Sequence, residues 1–125
     1  MSLQKVAGKF MDLCNQGKHF EVMRTMYAPE MVSVEGDGKE TVGKEAVIHK
    51  SEVWQGNNNI EGQDLHGPFF CGDSDASSGR FAVYTSLTFT PKSGGKRETH
   101  DEVGLYTVKN DMITREEFYY TGHFV

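Results

Sequence analysis

The chain has 125 residues and a formal net charge of −5, and its eight Phe, five Tyr, one Trp and only three Pro are the composition of a folded globular protein rather than a disordered or low-complexity one. That length is enough for one hydrophobic core and short for two, so a single domain over residues 1–125 is expected. Acids are scattered and the basic residues form no cluster beyond "GGKRE" at 94–98, which supplies no phosphate-binding stripe and argues against nucleic acid as a partner.

The first ten residues, "MSLQKVAGKF", contain no long apolar core of the kind a signal peptide needs, and no window approaches the roughly 18 apolar residues of a membrane span. A soluble, cytoplasmic protein with no membrane partner is expected. Cys14 and Cys71 have neither metal-ligand nor redox spacing, and reduced, packed thiols are the simplest reading of two distant cysteines.

From Leu3 to Asn15 the apolar residues Leu3, Val6, Ala7, Phe10, Met11, Leu13 and Cys14 recur at helical spacing, and Gly17 ends that amphipathic helix. A second helix, "HFEVMRTMYA", puts Phe20, Met23, Met26 and Tyr27 on one face before Pro29, since a residue preceding proline is disfavoured in a helix. The short apolar stretch "MVSVE" reads as a strand ending on a carboxylate, Glu35. After the turn-like "GDGKETVG", a third helix, "KEAVIHKSEVWQG", places Ala46, Val47, Lys50, Val53 and Trp54 around one side.

The remainder reads as strands at 59–71, 80–90, 96–109 and 112–124, separated by "GDSDASSG", "PKSGG" and "ND". In "RFAVYTSLTF", Phe81, Val83, Thr85, Leu87 and Phe89 share one face, while Ala82, Tyr84, Ser86 and Thr88 share the other. Helices followed by a run of hairpins are the pattern of an α+β domain in which helices cover one face of an antiparallel sheet.

The order of helix, "NQGK" turn, short helix leading into "MYAPEMVSVEG", "GKEAV" opening a helix with a Trp near its end, and finally "YTVKNDMITREEFYY" resembles the SnoaL-like members of the nuclear transport factor 2-like superfamily over almost the whole chain. The resemblance implies three N-terminal helices packed on a strongly curved antiparallel sheet, a cone-shaped α+β barrel with a pocket at its open end. It also implies a homodimer, for which the outer face carrying Tyr84, Ser86 and Thr88 is the expected contact. Such folds host isomerases, cyclases, epoxide hydrolases, dehydratases and non-enzymatic binding modules, so fold alone does not give function.

Laid on the ketosteroid isomerase branch, the resemblance puts Glu35 on the position of the general base. The branch's two oxyanion donors fall on Phe10, which lacks a hydroxyl, and Gly104, which lacks a side chain. The Asp of the epoxide hydrolase branch's final strand falls near Phe118. His100, Glu102 and Tyr106 on the penultimate strand, and Glu116, Phe118 and Tyr120 on the last, are placed inward, where they could converge with Glu35. Glu35, His100 and Glu116 are therefore the candidate catalytic residues. Phe10, Trp54, His66, Glu102, Tyr106, Phe118 and Tyr120 are the candidate substrate-binding ones.

Each residue also has a plainer reading. Glu35 can be a solvated strand end, His100 a surface or satisfied core histidine, and Glu116 a cross-strand partner of Arg115, Arg97 or Lys109. His66 precedes Gly67 and Pro68, where a bulge obscures the strand's phase. Trp54, with Phe20, Tyr27, Phe69, Phe89 and Tyr119, reads as core or pocket wall. His100, Asp101 and Glu102 alternate across a strand, leaving two possible metal ligands and too few for a site, and "GDGKETVG" lacks the spacing of a phosphate loop. Two functions stay open: a cofactor-independent acid/base isomerase, cyclase or hydrolase acting on a small, largely apolar metabolite, and a non-catalytic module that binds such a molecule or dimerises.

Overall fold

The structure is a computed structural model that describes residues 1–120. Helix α1 (Leu3–Asn15) begins where the Ser2 hydroxyl accepts from the Lys5 amide, and it turns Leu3, Val6, Ala7, Phe10, Met11 and Cys14 into the core. Gly17, at φ 75°, takes the left-handed conformation that closes the helix, and the Lys18 amide donates to the Leu13 carbonyl. Helix α2 (His19–Met26) buries Val22 and Met26.

Strand β1 (Tyr27–Val34) follows α2 with no intervening turn, so Tyr27 and Ala28, expected at the helix's end, are already extended. Pro29 lies inside this strand rather than beyond a helix. The segment expected to be only a turn holds a further short strand, β2 (Glu40–Val42), which pairs antiparallel with β1. The hairpin between them closes on bonds from the Glu35 amide to the Lys39 carbonyl and from the Gly38 amide to the Glu35 carbonyl. Helix α3 (Lys44–Asn57) buries Val47 and Ile48. Of the inward face expected for it, Ala46 and Val53 are exposed instead.

Strands β3 (Asn58–Cys71), β4 (Gly79–Pro91), β5 (Glu98–Lys109) and β6 (Met112–Tyr119) form a meander. The β5–β6 turn has Asn110 and Asp111 both at positive φ, as a two-residue hairpin requires. The part of the expected last strand beyond residue 120 lies outside the described residues. The sheet order is β2-β1-β6-β5-β4-β3. Every pairing is antiparallel except β1 with β6, which is parallel. The sheet is therefore mixed rather than wholly antiparallel, and among the described residues it is not closed into a barrel, since β2 and β3 stand at its two edges. Register shifts place extra residues in β1, β3 and β6, bulges that bend strands and increase their twist.

The three helices cover one face. Between helix and sheet lie Leu3, Val6, Phe10, Val22, Met31, Val47, Phe81, Val83, Val108 and Ile113, all nearly inaccessible, each contributing about 1.5–3 kcal/mol of burial for the larger side chains. Phe81 stacks on Tyr106 with ring centroids 5.2 Å apart, and Phe10 meets the edge of Phe81 at 5.4 Å. Among the described residues no helix is long and apolar enough to cross a membrane.

Candidate functional site

The inner set on β4 is the one its alternation implies: Phe81, Val83 and Phe89 are buried, and Thr85 and Leu87 face a cavity of about 220 Å³ between helices and sheet. Phe10 of α1, Phe20 and Met23 of α2, and Trp54 of α3 form the helical wall, while Leu65, Tyr106 and Phe118 come from β3, β5 and β6. Among the described residues, three carboxyl groups, Glu35, Glu102 and Glu116, and one cation, Lys50, come into this largely apolar space.

Glu35 sits just past β1, where the strand leaves the sheet for the hairpin. Lys50 of α3 donates to its Oε1 at 2.6 Å and the Tyr120 hydroxyl to its Oε2 at 3.0 Å, so both oxygens are engaged. Tyr120 reaches it because Gly36 has no side chain: a Cβ there would stand 2.9 Å from the tyrosine ring. Lys50 also donates to the Ser33 hydroxyl at 2.8 Å, and that hydroxyl serves Glu116 in turn.

Glu116, fully buried on β6, accepts a hydrogen bond from the Tyr27 hydroxyl as well. Burial holds its pKa above the usual carboxylate range; the bonds from Tyr27 and Ser33 and the charge of Lys50 oppose that rise, and the charge of Glu35 adds to it. Two of the three cations expected for Glu116 are engaged elsewhere: Arg115 with Glu40 and Glu117, and Arg97 with Glu61. Tyr27 and Tyr106, both buried beside Glu116, stay protonated, their pKa values pushed well up by burial first and by that carboxylate second.

Glu102 differs from its two neighbours. It lines the cavity from β5, and its carboxyl takes no hydrogen bond from the described residues. Burial, followed by the charges of Glu35 and Glu116, pushes its pKa up to about 7. One position along the same face, a Cβ on Gly104 would lie 2.8 Å from the Tyr106 hydroxyl. The space that an acid at position 104 would need is thus filled by a phenol. Cys14 also touches the cavity, but burial and then Glu116 push its thiol up to about 12, so it is no nucleophile near neutral pH.

Of the residues expected from sequence, the structure brings Glu35, Glu102, Glu116, Phe10, Trp54, Tyr106 and Phe118 to one cavity, with Tyr120 bonded to Glu35. His66 and His100 do not line it. His66 is exposed with its ring 5.8 Å from that of Tyr84, because Leu65 beside it takes the inward position. His100 lies nearer the end of β5 than Glu102 and stacks on Phe89 at 5.3 Å. Phe69 and Tyr119, expected in core or wall, are more than half exposed.

The sequence reading did not identify Lys50, Ser33 or His19 as site residues. A lysine on the otherwise apolar face of α3 was a usable signal for the first. A serine inside a strand and a histidine at a helix start carried none.

The sequence matches the family model described as the SnoaL-like domain over residues 1–120. A solved structure from Mesorhizobium loti, provisionally named a SnoaL-like polyketide cyclase and also a carbohydrate phosphatase, is 39% identical over 96% of this chain and 100% of its own, with a TM-score of 0.86. A Jannaschia sp. CCS1 protein with the same provisional cyclase name is 15% identical over 94% of this chain and 85% of its own, with a TM-score of 0.72. A Catenulispora acidiphila protein with a ketosteroid isomerase-like fold, solved with trimethylamine, is 15% identical over 78% and 71%, with a TM-score of 0.64. At those two lower identities the likeness is one of fold. No curated protein matches the chain.

Proposed function

The chain belongs to the SnoaL-like domain family, and we propose that its cavity takes a small, largely apolar metabolite and moves a proton on it without a cofactor, as an isomerase, cyclase or hydrolase, with Glu102 giving and taking the proton. The observation that carries this reading is the inequality among the three acids. Both oxygens of Glu35 are occupied by Lys50 and Tyr120, and Glu116 is bonded to Tyr27 and Ser33, whereas Glu102 faces the cavity unpartnered among the described residues.

A carboxyl with a pKa of about 7 is present in both forms at neutral pH, which favours general acid and base work alike. Glu35, the base suggested by family resemblance, here serves as a held anion whose charge raises the proton affinity of Glu102. The protonated Tyr106 is a hydroxyl donor for an oxygen on which negative charge develops. The phosphatase label of the Mesorhizobium loti relative suits this cavity poorly, because among the described lining residues a phosphate dianion would face three carboxyl groups and a single lysine, Lys50.

The test is NMR of solvent deuterium exchange and product formation with a panel of β,γ-unsaturated ketones, small epoxides and polyketide-like esters. Turnover of at least one compound is expected, falling by about 10²–10⁴ in Glu102→Gln. Binding reported by Trp54 fluorescence should persist in that variant. Undiminished turnover in Glu102→Gln would remove the role from this residue. Binding without turnover of any compound would leave a non-catalytic binding module.

For the outer face of the sheet we infer a second copy of the chain as partner. Tyr84, Val103 and Tyr119 are cross-strand neighbours in one row and all stay exposed on that face.

A further inference from the structure

We propose that His19 is a second proton acceptor of the cavity, held as the Nε2–H tautomer so that Nδ1 accepts, and that it selects ligands carrying a hydroxyl group. The inference rests on reading the cavity as a small-molecule site. His19 opens α2 and lines the cavity beside Phe20 and Gln63. Its Nε2 stands 3.0 Å from Gln63 Oε1.

That amide has its orientation fixed from the other side. The Gln63 amide nitrogen donates at 2.8 Å to the carbonyl of Cys14, in the last turn of α1, where carbonyls lack partners within the helix. The reverse orientation would set two acceptor oxygens 2.8 Å apart. The oxygen of Gln63 therefore faces His19, an amide oxygen can only accept, and Nε2 must carry the proton. A neutral imidazole has one N–H, so Nδ1 keeps its lone pair. Burial lowers the ring's basicity, and the bond to Gln63 only partly offsets this, so the neutral form prevails at neutral pH.

No bond to Nδ1 is made among the described residues. A half-buried acceptor without a partner in apolar surroundings is satisfied by a donor that enters with the ligand. Beside the donors Lys50 and Tyr106, His19 gives the cavity an acceptor whose tautomer is fixed. Gln63 is its positioning residue.

The experiment measures the ring nitrogens of His19 by long-range ¹H–¹⁵N correlation in the intact protein, first alone and then with cyclohexanol or its methyl ether, methoxycyclohexane, while Trp54 fluorescence reports affinity for each. The free protein should show Nε2 protonated and Nδ1 not. Cyclohexanol should move the Nδ1 resonance and bind about 3- to 10-fold more tightly than the ether, the effect of one neutral hydrogen bond. In His19→Phe that preference should vanish. Gln63→Leu should release the tautomer. A protonated Nδ1 in the free protein, or equal affinity for the two probes with an unmoved Nδ1, overturns the inference and leaves the small-molecule reading standing. Absence of any Trp54 response to either probe defeats both.

Discussion

Glu102 and Glu116 share a consequence of burial that is open to measurement. The folded state raises the pKa of Glu102 from 4.5 to about 7, so it favours the neutral acid. The stability contributed by that group is fully present below about pH 4.5 and is lost as the pH rises through about 7, where the fold must hold a charge that the unfolded chain carries freely. Glutamine at 102 keeps the shape and cannot ionise. Glu102→Gln should match the wild type in urea denaturation near pH 4 and exceed it near pH 8, by on the order of 3 kcal/mol. Equal midpoints at both values would show that Glu102 is solvated. Glu116 shifts in the same direction, so its ionisation also lowers wild-type stability as the pH rises.

Strand β1 supplies the polar backing of the site, delivering Tyr27 at one end and Ser33 near the other to the same carboxyl of β6. It can do so because it runs parallel to β6, with Ser33 directly beside Glu116, and because a register shift separates Tyr27 from Val32. Ser33 is wholly buried and links Lys50 to Glu116. Ser33→Ala should therefore destabilise the protein by about 1–3 kcal/mol, read as a lowered Tm. An unchanged Tm would mean that water replaces the hydroxyl. This strand also shows the limit of what was legible in sequence. On β4, period-two alternation exposed the inner face correctly, because one side of that strand is wet. On β1, buried Tyr27 and Ala28 extend the apolar run of α2 without a break, and nothing local distinguishes helix from strand. The short β2 was hidden because its residues Glu40, Thr41 and Val42 lie among turn-forming glycines.

The sheet as a whole presents an outer face with a row of partly apolar side chains, and this is where association should be visible. If a second copy covers it, sedimentation at micromolar concentration should show a dimer, and Val103→Asp, at the centre of the row, should shift it to monomer with the cavity intact. A monomeric wild type would refute that assignment. Family resemblance carried the global shape well: helices on one side, a meander on the other, and an inward set on β5 and β6 that includes Glu102 and Glu116. It did not reveal which acid is left unpartnered, because that depends on Lys50 and Tyr120 converging on Glu35 from distant parts of the chain.

The parallel pairing of β1 with β6 also sets an order of events. Strands β3 to β6 join through hairpins and can zip along the chain, whereas Tyr27 and Glu116 are 89 positions apart and Glu35 and Tyr120 are 85. Closing so long a loop is slow, because its entropy is lost before any contact compensates. Amide protection in pulse-labelled refolding should accordingly rise in β4 and β5 before β1, and simultaneous protection would contradict this. On the ribosome, one edge of β1 must wait unpaired until β6 has been made. The contacts that hold Glu35 and Glu116 thus form only when β6 docks on β1, so a chain interrupted before β6 would hold the helices and most of the sheet without an organised site.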